Sequence, residues 1–232
     1  MRPLPITIEG VKSQGFFTSW AWNILGLSFL LSGLLTLYID HQLSSHEAAE
    51  IPDILDKLSS QTYLKIALRA SVILFEIAAP ASMLVSAVVR YVIWPKSLKR
   101  NSTATLKTTP ILFQHNANII FSLMEIGLLG RLNVRFTDMA VAPLFGICYV
   151  LFAWTMKHMW LESGEPQFLY FFLDTTLGKG SSIALIALLV ILLLSYALFA
   201  LVDDILALLG GGFIVHFITV TSIMSFVCRF RD

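Results

Sequence analysis

The sequence predicts an all-α protein, an integral membrane bundle of about six transmembrane helices, on three observations. Of 232 residues, 56% are hydrophobic and 13% charged, with a mean hydropathy of +0.77. That is more apolar surface than one water-soluble core of this length needs. Six stretches poor in Asp, Glu, Lys and Arg match the roughly 20 residues of a spanning helix, at about 16–39, 66–94, 111–130, 137–158, 181–202 and 206–228. Within the third, His115, Asn118, Ser122 and Glu125 are separated by three, four and three residues, the helical spacing that brings them to one face.

Taken in order, the first apolar run is longer than the roughly 7 to 15 residues of a signal-peptide core, which predicts a retained span. The segment at about 40–65 is acidic, with Asp40, Glu47, Glu50, Asp53 and Asp56. It reads as a solvated loop whose LDKLSSQTYL stretch forms a short interfacial helix. The second span is interrupted by Arg69, Glu76 and Arg90 and is recognised by what lies between them. Residues 166–174, PQFLYFFLD, are aromatic and too short to span, which predicts a position at the headgroup level. The fifth span carries no charge between residues 183 and 202. Only Asp203 and Asp204 separate it from the sixth, and Gly210, Gly211 and Gly212 offer an alternative turn or a re-entrant hairpin. Loops this short predict one polytopic domain over residues 1–232.

Charge orients the bundle. Arg2, Lys12, Lys96, Lys99, Arg100, Lys107, Lys157, Lys179, Arg229 and Arg231 make ten basic residues on one side, against Lys57, Lys65, Arg131 and Arg135, four, on the other. The positive-inside bias predicts cytoplasmic termini. The net charge of +1, with no basic stripe and no phosphate-binding glycine motif, excludes nucleic acid and nucleotide classes. Cys148 and Cys228 lie inside apolar segments and read as small buried hydrophobes. Neither a metal nor a cofactor is implied: no HExxH or clustered Cys/His set occurs, and His41 and His46 lie on the side opposite His115.

The polar face is the candidate site, because an ionisable group in a bilayer is costly enough to suggest function. Thr18 begins the first span and His115 lies about one turn inside the third, so the predicted topology brings both to one depth. A Thr hydroxyl is a weak nucleophile that needs a proton acceptor within hydrogen-bond reach, and His115 is of that type. Asn118, one turn deeper, is placed to orient the imidazole or to donate to an oxyanion. The alternative is that Thr18 only starts its helix. Glu125 is ten residues from His115, roughly 15 Å along a helix, and has another role. An Arg69–Glu125 or Arg69–Glu76 pair, hiding charge from lipid, is one account; a proton path through His115, Glu125 and Glu76 is the other. His216 reads as a packing residue and His158 as an interfacial one. Trp20, Trp22, Trp94, Trp154 and Trp160 read as interface anchors, Trp20 also as a lipid-pocket wall.

At these residues the chain resembles known proteins. FFTSWAWN, residues 16–23, resembles the aromatic-Thr-x-Trp opening of the rolling-stone family of multi-pass membrane proteins. HNANIIFSLMEIGLL, from His115, followed by PLFGICYVLF, from Pro143, resembles that family's His-x-x-Asn and Glu helix and its Leu-Phe-Gly, Tyr and Leu-Phe run. The arrangement is also similar to the androgen-induced-protein family, six-span enzymes that hydrolyse fatty acid esters of hydroxy fatty acids with a Thr on an early helix and a His on a later one. The likeness covers about residues 16–200. It implies Thr18 as nucleophile, His115 as base and a pocket open to lipid. The surroundings of Thr18 follow the rolling-stone pattern more closely than the hydrolases, and rolling-stone proteins are associated with cell fusion rather than with an established reaction. Two expectations follow: a lipid-ester hydrolase acting on an acyl-ester substrate, or a non-catalytic membrane or lipid-binding scaffold.

Overall fold

The computed structural model describes residues 15–45, 50–130, 132–157, 168, 170–209 and 212–231. It is a helical bundle with no strand among the described residues. In chain order the helices are α1 (Phe17–Ser44), α2 (Ile51–Ser60), α3 (Thr62–Val88), α4 (Trp94–Lys99), α5 (Thr109–Met124), α6 (Val141–Thr155), α7 (Lys179–Leu209) and α8 (Phe213–Val227). Four helical stretches among the described residues are long and apolar enough to cross a membrane: Phe17–Ser44, Thr62–Lys99, Phe136–Thr155 and Lys179–Leu208. Their outer faces carry bare apolar side chains, Leu30 at 60% and Leu37 at 67% exposure on α1, Ile183 at 67% on α7. Such faces suit lipid rather than water.

α3 forms the centre, packed against α1, α5, α6 and α7. Its sequence explains the position: Ala78, Ala79, Ala81 and Ser82 are all fully buried, and residues this small let neighbouring helices approach closely. Pro80 sits inside the helix, where it cannot donate to the Glu76 carbonyl one turn back. α3 continues through a π-helical turn, Val89–Ile93, into α4. α1 runs antiparallel to it, with Ser28 Oγ donating to the Ser71 carbonyl at 2.9 Å and the Tyr38 and Tyr63 hydroxyls 3.3 Å apart. Ser86, near the end of α3, donates to the carbonyl of His115, near the start of α5, so α5 is parallel to α1.

Element boundaries depart from expectation in four places. α1 extends to Ser44 and α2 covers residues 51–60, so the acidic loop expected at about 40–65 is mostly helix. The stretch expected as the third span is the 16-residue α5 prolonged by a π-helical turn, Glu125–Leu129; its polar row leaves it less apolar than the four long helices. The fifth span does not stop at Asp203 and Asp204 but runs on to Leu209. Asp203 is tolerated there because Oδ2 accepts the Val134 amide at 3.2 Å. The following α8 has 15 residues and rises about 22 Å, short of a hydrocarbon core of about 30 Å. Gly212 is its N-cap; Gly210 and Gly211 lie outside the described residues, as do Arg131, His46, His158 and Trp160.

α8 is held at both ends. Gly127 lies against Val220 so closely that any Cβ would collide with it. There the π-helical turn presents its Gly127 carbonyl to His216 Nδ1 at 2.7 Å, so His216 is a packing residue with a satisfied ring nitrogen. In the last turn and just beyond it, Arg90 donates to the Ser225 and Cys228 carbonyls and the Tyr91 hydroxyl to that of Phe226. The Asn116 amide pairs with both backbone groups of Arg229, at 3.0 Å each. Trp94 is 1% exposed beneath the Arg229 guanidinium, so it is a core residue rather than an interface anchor. Cys228 is buried as expected, whereas Cys148 is exposed on α6, and both are free thiols.

Candidate functional site

The polar residues singled out in the sequence divide between the two ends of α3. At one end α1 begins with Phe16 as N-cap and no side-chain cap, so the amides of its first turn look to other partners. Aromatic rings close around that turn. Phe17 meets Phe145 and Tyr149 of α6 with ring centroids 5.4 and 5.0 Å apart, and Trp20 meets Phe145, Tyr149 and Phe152 at 6.0, 5.7 and 4.7 Å. Trp20 therefore joins α1 to α6. The Tyr149 hydroxyl donates to the Gly15 carbonyl at 2.7 Å. Tyr170, in the segment between α6 and α7, brings its hydroxyl to the Phe17 amide, the Thr18 hydroxyl and Tyr149. Burial pushes this phenol up to about 12, against the downward pull of those hydrogen bonds.

Thr18 is 6% exposed. Trp22, one turn later on the same face, donates from Nε1 to the Gln114 carbonyl at 2.9 Å and stacks on Phe113 with centroids 5.5 Å apart. Trp22 thereby joins α1 to the start of α5. Four residues separate Thr18 from Trp22, so Thr18 sits about 6 Å nearer the α1 start than that contact. The Nδ1 atom of His115 is buried with no hydrogen-bond partner, and the same holds for Nδ2 of Asn118. Asn118 is fully buried and spends Oδ1 on the Ile119 amide at 2.8 Å. Thr18 thus stands beside the Tyr170 hydroxyl, while Nδ1 of His115 and Nδ2 of Asn118 are without hydrogen-bond partners on one face of α5. Asn118 does not steady the imidazole through Nδ1.

At the other end the buried charges are arranged differently from either expected pair. Arg69 Nη2 meets Asp138 Oδ1 at 2.6 Å, and Arg135 meets Asp138 at 3.1 Å and Glu76 at 3.7 Å. Both sequence-based pairings of Arg69 are corrected: its partner is Asp138. The carboxylates chiefly hold backbone. After Gly130, in the left-handed conformation at φ 63° that glycine adopts without strain, the chain crosses the bundle end with Leu132 and Val134 buried. The Leu132 amide donates to Glu125 at 3.2 Å, that of Val134 to Asp203 at 3.2 Å and that of Arg135 to Glu76 at 3.0 Å. The Tyr196 hydroxyl donates to the Arg135 carbonyl at 2.8 Å. Three carboxylates from three helical segments therefore satisfy a strap that has no secondary structure to satisfy it. Glu76 and Glu125 thereby have a structural role at this end of the bundle.

Sequence reasoning missed Asp138, Arg135, Asp203 and Tyr196, and, at the other end, Tyr149 and Tyr170. For the first group a signal existed: Arg135 and Asp138 are three residues apart in a loop too short to carry charge away from the bundle. Compared with family models, with curated proteins and with solved structures, the chain matches none.

Proposed function

We propose that this chain is a multi-pass membrane protein, with cytoplasmic termini, that hydrolyses fatty-acyl esters within the bilayer. The observation that carries the reading is the pair of unengaged groups on α5: a histidine Nδ1 and an amide Nδ2, both buried and one helical turn apart. A buried polar group without a partner costs about 1–3 kcal/mol, so a protein that keeps two together has a use for them. An ester supplies what they lack. Its carbonyl oxygen accepts from Asn118 Nδ2, and the imidazole of His115 takes the proton of the attacking hydroxyl. The Thr18 Oγ bonds to the carbonyl carbon, the proton returned by His115 leaves with the alkoxide, and water then cleaves the acyl-threonine by the same route. Thr18 must exchange its contact with Tyr170 for His115 as substrate enters. The resemblance to the androgen-induced-protein family supports the same residues. No cofactor is called on.

A second reading rests on that Thr18–Tyr170 contact. If the hydroxyl stays with Tyr170, the site binds a lipid carbonyl without cleaving it, as a scaffold of the rolling-stone kind would. Hydrolysis of a fluorogenic acyl ester by protein in nanodiscs separates the two. The hydrolase loses turnover in Thr18→Val and His115→Ala, while the lipid-binding scaffold has none to lose.

A further inference from the structure

The end of the bundle where α3 passes into α4 has a surface that neither reading uses. Between Glu76 and Glu125 the chain contains no other Asp or Glu, and Lys96, Lys99 and Arg100 fall within that stretch. Helical spacing sorts α4 into two sides. Trp94 and Leu98 pack with Leu106 on one, while Lys96, Lys99 and Arg100 are exposed on the other. None of these three joins an ion pair among the described residues. Arg229 completes the surface: its guanidinium carbon stands 5.2 Å from the centre of the Trp94 ring, and the Asn116 amide fixes its backbone there. Exposed rings border the cations. Phe230 follows Arg229 directly, and Tyr91, bonded to the Phe226 carbonyl, precedes Lys96 by about 7 Å along the helix.

We infer that this end of the bundle binds anionic phospholipid headgroups of the leaflet in which it lies, with Lys96, Lys99, Arg100 and Arg229 at the level of the headgroup charges and Tyr91, Phe226 and Phe230 at the boundary with the hydrocarbon. Charge complementarity selects the occupant. A positive-inside bias needs these cations only on one side of the membrane; it does not need them gathered on one face of α4 with Arg229 pinned beside them. A soluble polyanion would meet the same cations and leave the rings idle, whereas a lipid sets its headgroup against the one layer and its glycerol and acyl chains against the other. A choline headgroup brings a cation of its own and gains little.

The test is native mass spectrometry of the full chain in mild detergent, with equal amounts of phosphatidylserine and phosphatidylcholine bearing identical acyl chains. Phosphatidylserine is expected to be retained at least about fivefold better, the factor that one basic residue near an anionic surface contributes. Changing Lys96→Gln, Lys99→Gln and Arg100→Gln together should reduce the preference to about twofold or less, at unchanged thermal stability because the three side chains are exposed and outside every ion pair described. Lys57→Gln with Lys65→Gln, exposed cations at the opposite end, should keep it. Soluble glycerophosphoserine should not displace the bound lipid. Equal retention of the two lipids, a preference that survives the triple change or is lost in the double one, or displacement by glycerophosphoserine would overturn the inference. None of these outcomes depends on ester hydrolysis.

Discussion

Replacing Glu76 separates the strap account of the buried charges from the ion-pair account suggested by the sequence. Glu76 is fully buried, and its Oε1 accepts the Arg135 amide at 3.0 Å while the Arg135 guanidinium stands 3.7 Å away. In Glu76→Leu the backbone amide loses its acceptor, at about 1–3 kcal/mol. The lost ion pair adds only about 0–1 kcal/mol, because the Arg135 side chain is 44% exposed. Glu76→Gln keeps an oxygen for the amide and loses only the charge, so its cost is the second quantity alone. The leucine variant should therefore be less stable than the glutamine variant by about 1–3 kcal/mol, measured by denaturant unfolding in one fixed detergent. Adding Arg69→Met should not recover Glu76→Leu, since the Arg135 amide still lacks its acceptor in the double variant. Equal costs for the two single variants, or rescue by Arg69→Met, would refute the reasoning.

Three further outcomes follow from other parts of the molecule. Gly127→Ala should destabilise by about 1–3 kcal/mol, as overpacking does, because its Cβ meets the buried Val220; thiol labelling of buried Cys228 should rise in the same variant as α8 lifts. Tyr170 should titrate near pH 12 in ultraviolet absorbance, read as the difference between the wild type and Tyr170→Phe. Its folded pKa lies above the unfolded value of about 10, so its contribution to stability is complete below pH 10 and disappears as pH rises through 12. Tyr170→Phe should flatten that alkaline loss. Asn101, Ser102 and Thr103 form a glycosylation sequon, and with cytoplasmic termini Asn101 should stay unmodified on expression through a secretory route; glycan there would invert the orientation.

Much of the bundle is legible in the sequence because apolar length and helical period are local properties. The uncharged run from residue 183 to 202 and the apolar stretches between Arg69, Glu76 and Arg90 identify their helices without tertiary information. Where α7 ends is not local: Asp203 reads as a break until the strap brings the Val134 amide to it. The same limit applies to Arg69. Its spacing from Glu76 suggests a partner on its own helix, yet Asp138, 69 residues away, wins because the strap folds back over the bundle end. At the candidate site, spacing along α5 correctly puts His115 and Asn118 on one face. The contact of Thr18 with Tyr170 arises from a segment with no periodicity, which pattern reading places only at the membrane surface.

The central claim is that Thr18 is a nucleophile served by His115. The most direct measurement is mass-spectrometric mapping of fluorophosphonate adducts on protein in nanodiscs, for the wild type, Thr18→Ser, Thr18→Val and His115→Ala. The account predicts an adduct on Thr18 in the wild type and on the serine in Thr18→Ser. It predicts none in Thr18→Val and one at least about 10²-fold slower to form in His115→Ala, since general-base assistance contributes about that much or more. An unlabelled Thr18 in folded wild-type protein, or labelling that is indifferent to His115, would contradict it.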